Sequence, residues 1–264
     1  MSTRTIPDPA GPMFAVEGAA KRYGALTALA PLTVTIAAGE RVALMGPSGS
    51  GKTTLLGLLA AALRPDEGQV LIAGRRTATL RPGRDLARLV GVMPQGYDLV
   101  PSLAVVHNVL AGRLGEWSLA RAAWSLASPR EIGRAQAALA RVGIPDKLWE
   151  RASRLSGGEQ QRVALARLLV QQPRAILADE PVAAVDPARA EDLLRMLTAI
   201  AEEDGQTLVA SMHNVDLALR HFGRVIALRG AHMLFDKPAA ALSAADVAEL
   251  YDLQRGDAPR VVAW

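Results

Sequence analysis

Apolar residues along the chain gather in short blocks separated by longer, more regularly patterned stretches. The blocks MFAVEG (13–18), LTVTI (32–36), RVALM (41–45), QVLIAG (69–74), LVGVMP (89–94), AILAD (175–179), TLVASM (207–212) and RVIALRG (224–230) have the length and apolar content of strands. Helical patterns lie between them. One run starts near Lys52 (TTLLGLLAAAL), and another is EQQRVALARLLVQQ at 159–172. From about 97 to 157 strand blocks are missing, and LAVVHNVLAGRL (103–114) and PREIGRAQAALARVG (129–143) repeat with helical spacing. This alternation predicts an α/β core around a parallel sheet, with the helical block as an inserted subdomain and the first strands as a separate antiparallel sheet.

At 264 residues, half of them apolar, the chain can bury a sizeable core. The absence of cysteine excludes disulfides and Cys-based metal or redox sites. A net charge of +4 is a mild excess that scattered surface arginines explain. The longest apolar run, LLGLLAAAL at 55–63, is about half of what a membrane helix needs. The opening MSTRTIPDPAGP lacks the apolar segment of a signal peptide and reads as a loose tail. A cytoplasmic protein is the expectation.

Three stretches carry candidate chemistry. GPSGSGKTT (46–54) fits G-x-x-x-x-G-K-[ST] between a strand and a helix. In such a loop, the segment Gly46, Pro47, Ser48, Gly49, Ser50 and Gly51 wraps phosphate oxygens with the backbone N–H groups of its residues other than proline. Lys52 reaches the β- and γ-phosphates, and the hydroxyls of Thr53 and Thr54 open the helix, Thr53 as a ligand of Mg²⁺. RAILADEP (174–181) delivers two carboxylates at the end of a buried strand. Asp179 is placed to hold hydrated Mg²⁺, and Glu180 to polarise a water aimed at the γ-phosphorus. LSGGEQQR (155–162) sets two glycines at the start of a helix, where unpaired N–H groups favour an anion. A chain with its own phosphate loop has no need of a second cradle, unless that helix start serves another subunit's nucleotide.

With these motifs in this order, residues 13–250 resemble the nucleotide-binding subunit of an ATP-binding-cassette transporter. The resemblance implies a P-loop NTPase (RecA-like) α/β core at 13–96 and 158–230, with an N-terminal antiparallel β subdomain. It also implies an inserted α-helical subdomain at about 97–157, a flexible tail at 1–12 and a short C-terminal segment at 231–264. In the family two subunits pair head to tail across ATP, so Ser156, Gly157 and Gly158 would meet the partner's γ-phosphate. Tyr23 in KRYG matches the aromatic that stacks on adenine. Gln95 in GVMPQG matches the glutamine that touches Mg²⁺ or the attacking water, and His213 in VASMHN matches the switch histidine. Asp186 in VAAVDP corresponds to the aspartate that crosses the dimer interface, and Pro187 would begin the next helix. Two positions depart from the family: Ala183 replaces a serine and Val185 a leucine.

HNVLAGRLGEWSLARAAWSL (107–126), ILADEPVAAVDP and MHNVDLAL are together similar to phosphonate-importer ATPases. The implied cofactors are ATP and Mg²⁺. The implied partners are a second copy, transmembrane permease subunits and, indirectly, an extracytoplasmic solute-binding protein, with no nucleic acid. The implied location is the cytoplasmic face of the inner membrane, held peripherally. An importer of another small solute, an amino acid or inorganic anion, is the competing reading. A soluble cassette acting on ribosomes or DNA would usually carry two cassettes or a long coiled-coil insert. A non-catalytic module would be expected to have lost Lys52 or Glu180.

Overall fold

The computed structural model describes residues 11–182 and 186–251, which fall into two compact units. Of the described residues, one unit comprises 11–79 and 209–251, and the other lies within Leu80–Leu208. The first opens with β1 (Pro12–Tyr23) and β2 (Leu26–Ala37), followed by β3 (Arg41–Met45), α1 (Lys52–Leu59), β4 (Glu67–Ile72) and the short β5 (Arg75–Arg76). β1, β2, β4 and β5 form an antiparallel sheet in the order β2-β1-β4-β5. Phe14 pairs with Ile36 on one side and Ile72 on the other, and all three are buried. Along β2, Leu32, Val34 and Ile36 point inward while Pro31, Thr33 and Thr35 face solvent. The apolar blocks 13–18 and 32–36 cover only parts of two strands of twelve residues each.

The second unit runs through α2 (Arg84–Leu89), β6 (Val90–Met93), α3 (Val105–Leu110), α4 (Leu119–Ala127), α5 (Ile132–Arg141), α6 (Gly157–Gln171), β7 (Ala175–Ala178) and α7 (Pro187–Glu203). β6 and β7 pair in parallel, Val90 with Ala175 through Met93 with Ala178. The helical pattern at 103–114 resolves into α3 followed by a 3₁₀ segment, Ala111–Glu116. A Cβ on Gly112 would lie 2.3 Å from the Arg167 carbonyl of α6, and one on Gly115 would lie 2.5 Å from the Ala87 methyl. The two glycines thus let the chain press flat against its neighbours. Buried Asn108 holds the preceding turn, accepting from the Val100 N–H at 2.7 Å and donating to its carbonyl at 3.2 Å.

β8 (Thr207–Met212), buried throughout, carries the chain back into the first unit. There follow α8 (Val215–His221), β9 (Arg224–Arg229), β10 (His232–Pro238) and α9 (Ala244–Tyr251). β9 pairs in parallel with β3 and antiparallel with β10. Arg224 ties this region together. Its guanidinium meets both Asp236 carboxylate oxygens at 2.6 Å, Glu40 at 2.9 Å and the Thr35 carbonyl at 3.0 Å.

Candidate functional site

In the first unit the glycine-rich loop joins β3 to α1. Gly46 adopts φ 149° because nothing larger fits: a Cβ there would lie 2.1 Å from the Leu228 carbonyl of β9 and 2.6 Å from Ser50 Oγ. Gly49 and Gly51 also have positive φ, and the Ser50 N–H donates to the Pro47 carbonyl at 3.2 Å. Ser48, Gly49 and Thr53 are exposed, Pro47 and Thr54 half-buried, and Ser50 buried. Lys52 is 5% exposed, and its ammonium donates to the Gly46 and Pro47 carbonyls at 2.8 and 3.0 Å. Both acceptors are backbone carbonyls of the loop itself, so the lysine side chain folds back along the segment that carries it.

His213 follows the last residue of β8, and Asn214 next to it caps α8 by accepting the Leu217 N–H at 3.0 Å. The Tyr251 hydroxyl donates to the His213 carbonyl at 3.5 Å and accepts from the Gly46 backbone N–H; burial pushes its phenol pKa up. α9 thereby touches both the glycine loop and the histidine. Tyr23, at the end of β1, exposes half its surface with the Lys21 ammonium 5.5 Å above its ring.

In the second unit the β6–β7 register decides the geometry. Met93 and Ala178 are paired, so Gln95 and Glu180 each stand two residues beyond level strand ends. The Gln95 Nε2 donates to Glu180 Oε2 at 3.0 Å. The Asp179 N–H donates to the Met93 carbonyl at 2.9 Å, fixing the turn that carries both carboxylates. Glu180 has φ 48°, a left-handed conformation uncommon outside glycine that marks a backbone constrained to aim its side chain.

Ser156 caps α6 through a capping box. Its Oγ accepts from the Glu159 N–H, while the Glu159 carboxylate accepts from the Ser156 N–H at 2.8 Å and hydroxyl at 2.9 Å. These bonds, with the Lys147 ammonium 3.1 Å away, hold the Glu159 carboxyl below its usual pKa. Gly157 and Gly158 form the first helical positions, and a Cβ on either would meet nothing within 4 Å.

Asp186 has a local task that the sequence reading did not foresee. It caps α7, accepting from the Arg189 N–H at 3.0 Å and pairing with its guanidinium at 3.1 Å. Ala183 and Val185 lie outside the described residues. Among the described residues no three His, Cys, Asp or Glu side chains cluster as a metal cage, and no helix is long and apolar enough to cross a membrane.

The profile described as ABC transporter matches residues 29–183. A curated relative, the phosphonates import ATP-binding protein PhnC of Anaeromyxobacter dehalogenans, is 51% identical over 94% of this chain. The chain spans about half that protein's length. The protein of the same name from Pseudomonas putida is 44% identical, with 86% of this chain covering 85% of it. Among solved structures, a dimeric ATP-binding cassette in a post-hydrolysis state bound to ADP and Pi is similar at 30% identity. Its TM-score is 0.73 over 87% of this chain and all of the other. A cassette in its ADP conformation, 23% identical with a TM-score of 0.80 over 92% of this chain and 99% of the other, shares the fold. With its P-loop α/β architecture and these matches, the chain belongs to the ABC transporter family.

Proposed function

We propose that this protein is the ATP-hydrolysing subunit of an ABC importer for a phosphonate or related phosphorus oxyanion. Two copies would work head to tail beneath a membrane permease, on the cytoplasmic face of the inner membrane, with a solute-binding protein outside. The observation that carries the paired arrangement is the pair of glycines at 157 and 158. Glycine is costly in a helix, yet neither position has positive φ, and neither has a neighbour that a methyl group would strike. Their smallness answers to no contact among the described residues. It suits the backbone of another copy's nucleotide-loaded loop coming close to the start of α6.

In this reading the backbone of 46–51 and the Lys52 ammonium bind the β- and γ-phosphates, and Tyr23 offers its exposed ring to adenine. Glu180 polarises the attacking water, and Gln95, bonded to it, keeps that carboxylate aimed. His213 contacts the γ-phosphate, and Asp186 spans the seam between copies. The Thr53 hydroxyl, the Asp179 carboxylate and the Gln95 amide oxygen would hold Mg²⁺. These are hard oxygen donors of the kind Mg²⁺ takes. When bound, that ion neutralises charge building on the phosphate oxygens. Water displaces ADP from the γ-phosphorus, giving ADP and Pi. The proposed domain limits are a core at 13–96 and 158–230 and a helical subdomain at about 97–157. The names of the relatives support the cargo; no residue described here would touch it.

Mixed dimers test the paired site. Lys52→Ala and Ser156→Arg should each abolish ATPase activity alone, while mixing them leaves one intact composite site and restores part of it. Complete inactivity of every mixture would argue against action across the pair. Deleting the subunit should stop growth on a phosphonate as sole phosphorus source and spare growth on inorganic phosphate; unchanged phosphonate uptake would remove the cargo assignment.

A further inference from the structure

Gln161 is 2% exposed, and its place in LSGGEQQR invites reading it as part of the helix start. Its side chain points elsewhere. Nε2 donates to the Tyr97 hydroxyl and, at 3.5 Å, to the carbonyl of Pro181. Tyr97 stands two residues after Gln95, and Pro181 directly follows Glu180. One buried amide therefore fastens α6 to both segments that present the Gln95–Glu180 pair.

The Tyr97 turn is held from the same helix at a second point. Tyr97 and Asp98 are consecutive non-glycine residues with φ 58° and 45°, a conformation that persists only where surroundings enforce it. Arg167 enforces it, donating to the Tyr97 and Asp98 carbonyls at 2.8 and 2.9 Å; burial pushes its own pKa down. Gln161 lies one turn beyond Gly157, so both sit on one stretch of a rigid helix.

We propose that Gln161 and Tyr97 are positioning residues for hydrolysis, transmitting contact at the start of α6 to the placement of Gln95 and Glu180. This rests on the reading of that pair as the hydrolytic groups. An approaching copy would load the first turn of α6. The helix would carry that load to the amide beneath both segments, so Glu180 would be aimed best when the pair is closed.

The test is a steady-state ATPase assay on the full-length protein with Tyr97→Phe, which keeps the ring and removes only the hydroxyl. The kcat should fall about five- to tenfold, the worth of one hydrogen bond, while KM for ATP stays within about twofold. Adding Tyr97→Phe to Gln95→Ala should cost nothing further, since the Tyr97 arm of the relay reaches Glu180 only through Gln95. Gln161→Met, which keeps volume and removes the amide, should repeat the split. Wild-type kcat in folded, ATP-binding Tyr97→Phe would overturn the proposal. So would a loss that simply adds to that of Gln95→Ala, or a lowered melting temperature with kcat unchanged. A wild-type protein that bound ATP without hydrolysing it would instead overturn the reading of Gln95 and Glu180.

Discussion

Replacing Gly157 and Gly158 together by alanine should stabilise the protein and disable it at once. Neither residue has positive φ, and an added methyl meets no atom within 4 Å, so alanine fits both sites without strain. Each replacement removes unfolded-chain freedom and raises helix propensity, worth about 0.4–1 kcal/mol at a compatible position. First-turn positions sit at the low end, so the pair should contribute roughly 1 kcal/mol and raise Tm by about 2–4 °C in a chain of this size. The same two methyls would stand between the α6 N–H groups and a γ-phosphate carried by the other copy. Losing such preorganised donors should lower kcat by about 10²–10³-fold. Thermal denaturation of the nucleotide-free protein and a steady-state ATPase assay give the two readings. A variant that is more stable and still turns over at the wild-type rate would refute the argument that these glycines serve a partner. A less stable variant would refute the claim that nothing within the chain requires them.

Glu180→Gln should bind ATP, hydrolyse it at least about 10²-fold more slowly, and run as an ATP-dependent dimer on size exclusion; a variant monomeric with ATP would count against the paired site. Gly46→Ala drives a methyl to 2.1 Å from the Leu228 carbonyl, so urea denaturation should show a loss of about 1–3 kcal/mol or more, together with loss of nucleotide binding. Asp246 accepts from the Lys237 ammonium and from Ser243, which lower its pKa from 3.8 to about 2. Its contribution is therefore complete above the unfolded value and is lost as pH falls toward 2. Asp246→Asn should unfold more easily than the wild type at pH 7, with the gap closing below about pH 4 in denaturant titrations across pH.

How legible each element was depends on which faces it buries. β3 and β8 are buried along almost their whole length, and their apolar blocks at 41–45 and 207–212 coincide with the observed strands. β10 is an edge strand of half-buried and exposed residues, so HMLFDKP does not stand out as a strand, and residues 231–264 read only as a short C-terminal segment. The helix expected at 103–114 gives way after Leu110 because Gly112 is drawn against the Arg167 carbonyl, a tertiary demand invisible to periodicity. Among the candidate residues, the glycine loop and the two carboxylates announce themselves through fixed spacing. The contact between Gln95 and Glu180, far apart in sequence, depends on the register of β6 against β7. Tyr97 and Tyr251 matter through hydrogen bonds to distant segments, for which the sequence offers no spacing rule.

The capping box of α6 also determines what this helix start will ignore. With the Glu159 carboxylate folded onto Ser156 and balanced by Lys147 at 3.1 Å, negative charge already occupies the positive end of the helix dipole. A stray phosphate ion would have to approach that carboxylate. A nucleotide presented by a docked partner arrives with its own counter-charges and is already positioned. In the proposed pairing the helix start would discriminate by means of delivery rather than by charge alone, and it would stay available in a medium rich in free phosphate. Inorganic phosphate titrated against Lys52→Ala, whose own loop is impaired, should leave Tm unchanged, whereas Glu159→Gln in the same background should acquire a phosphate-dependent rise.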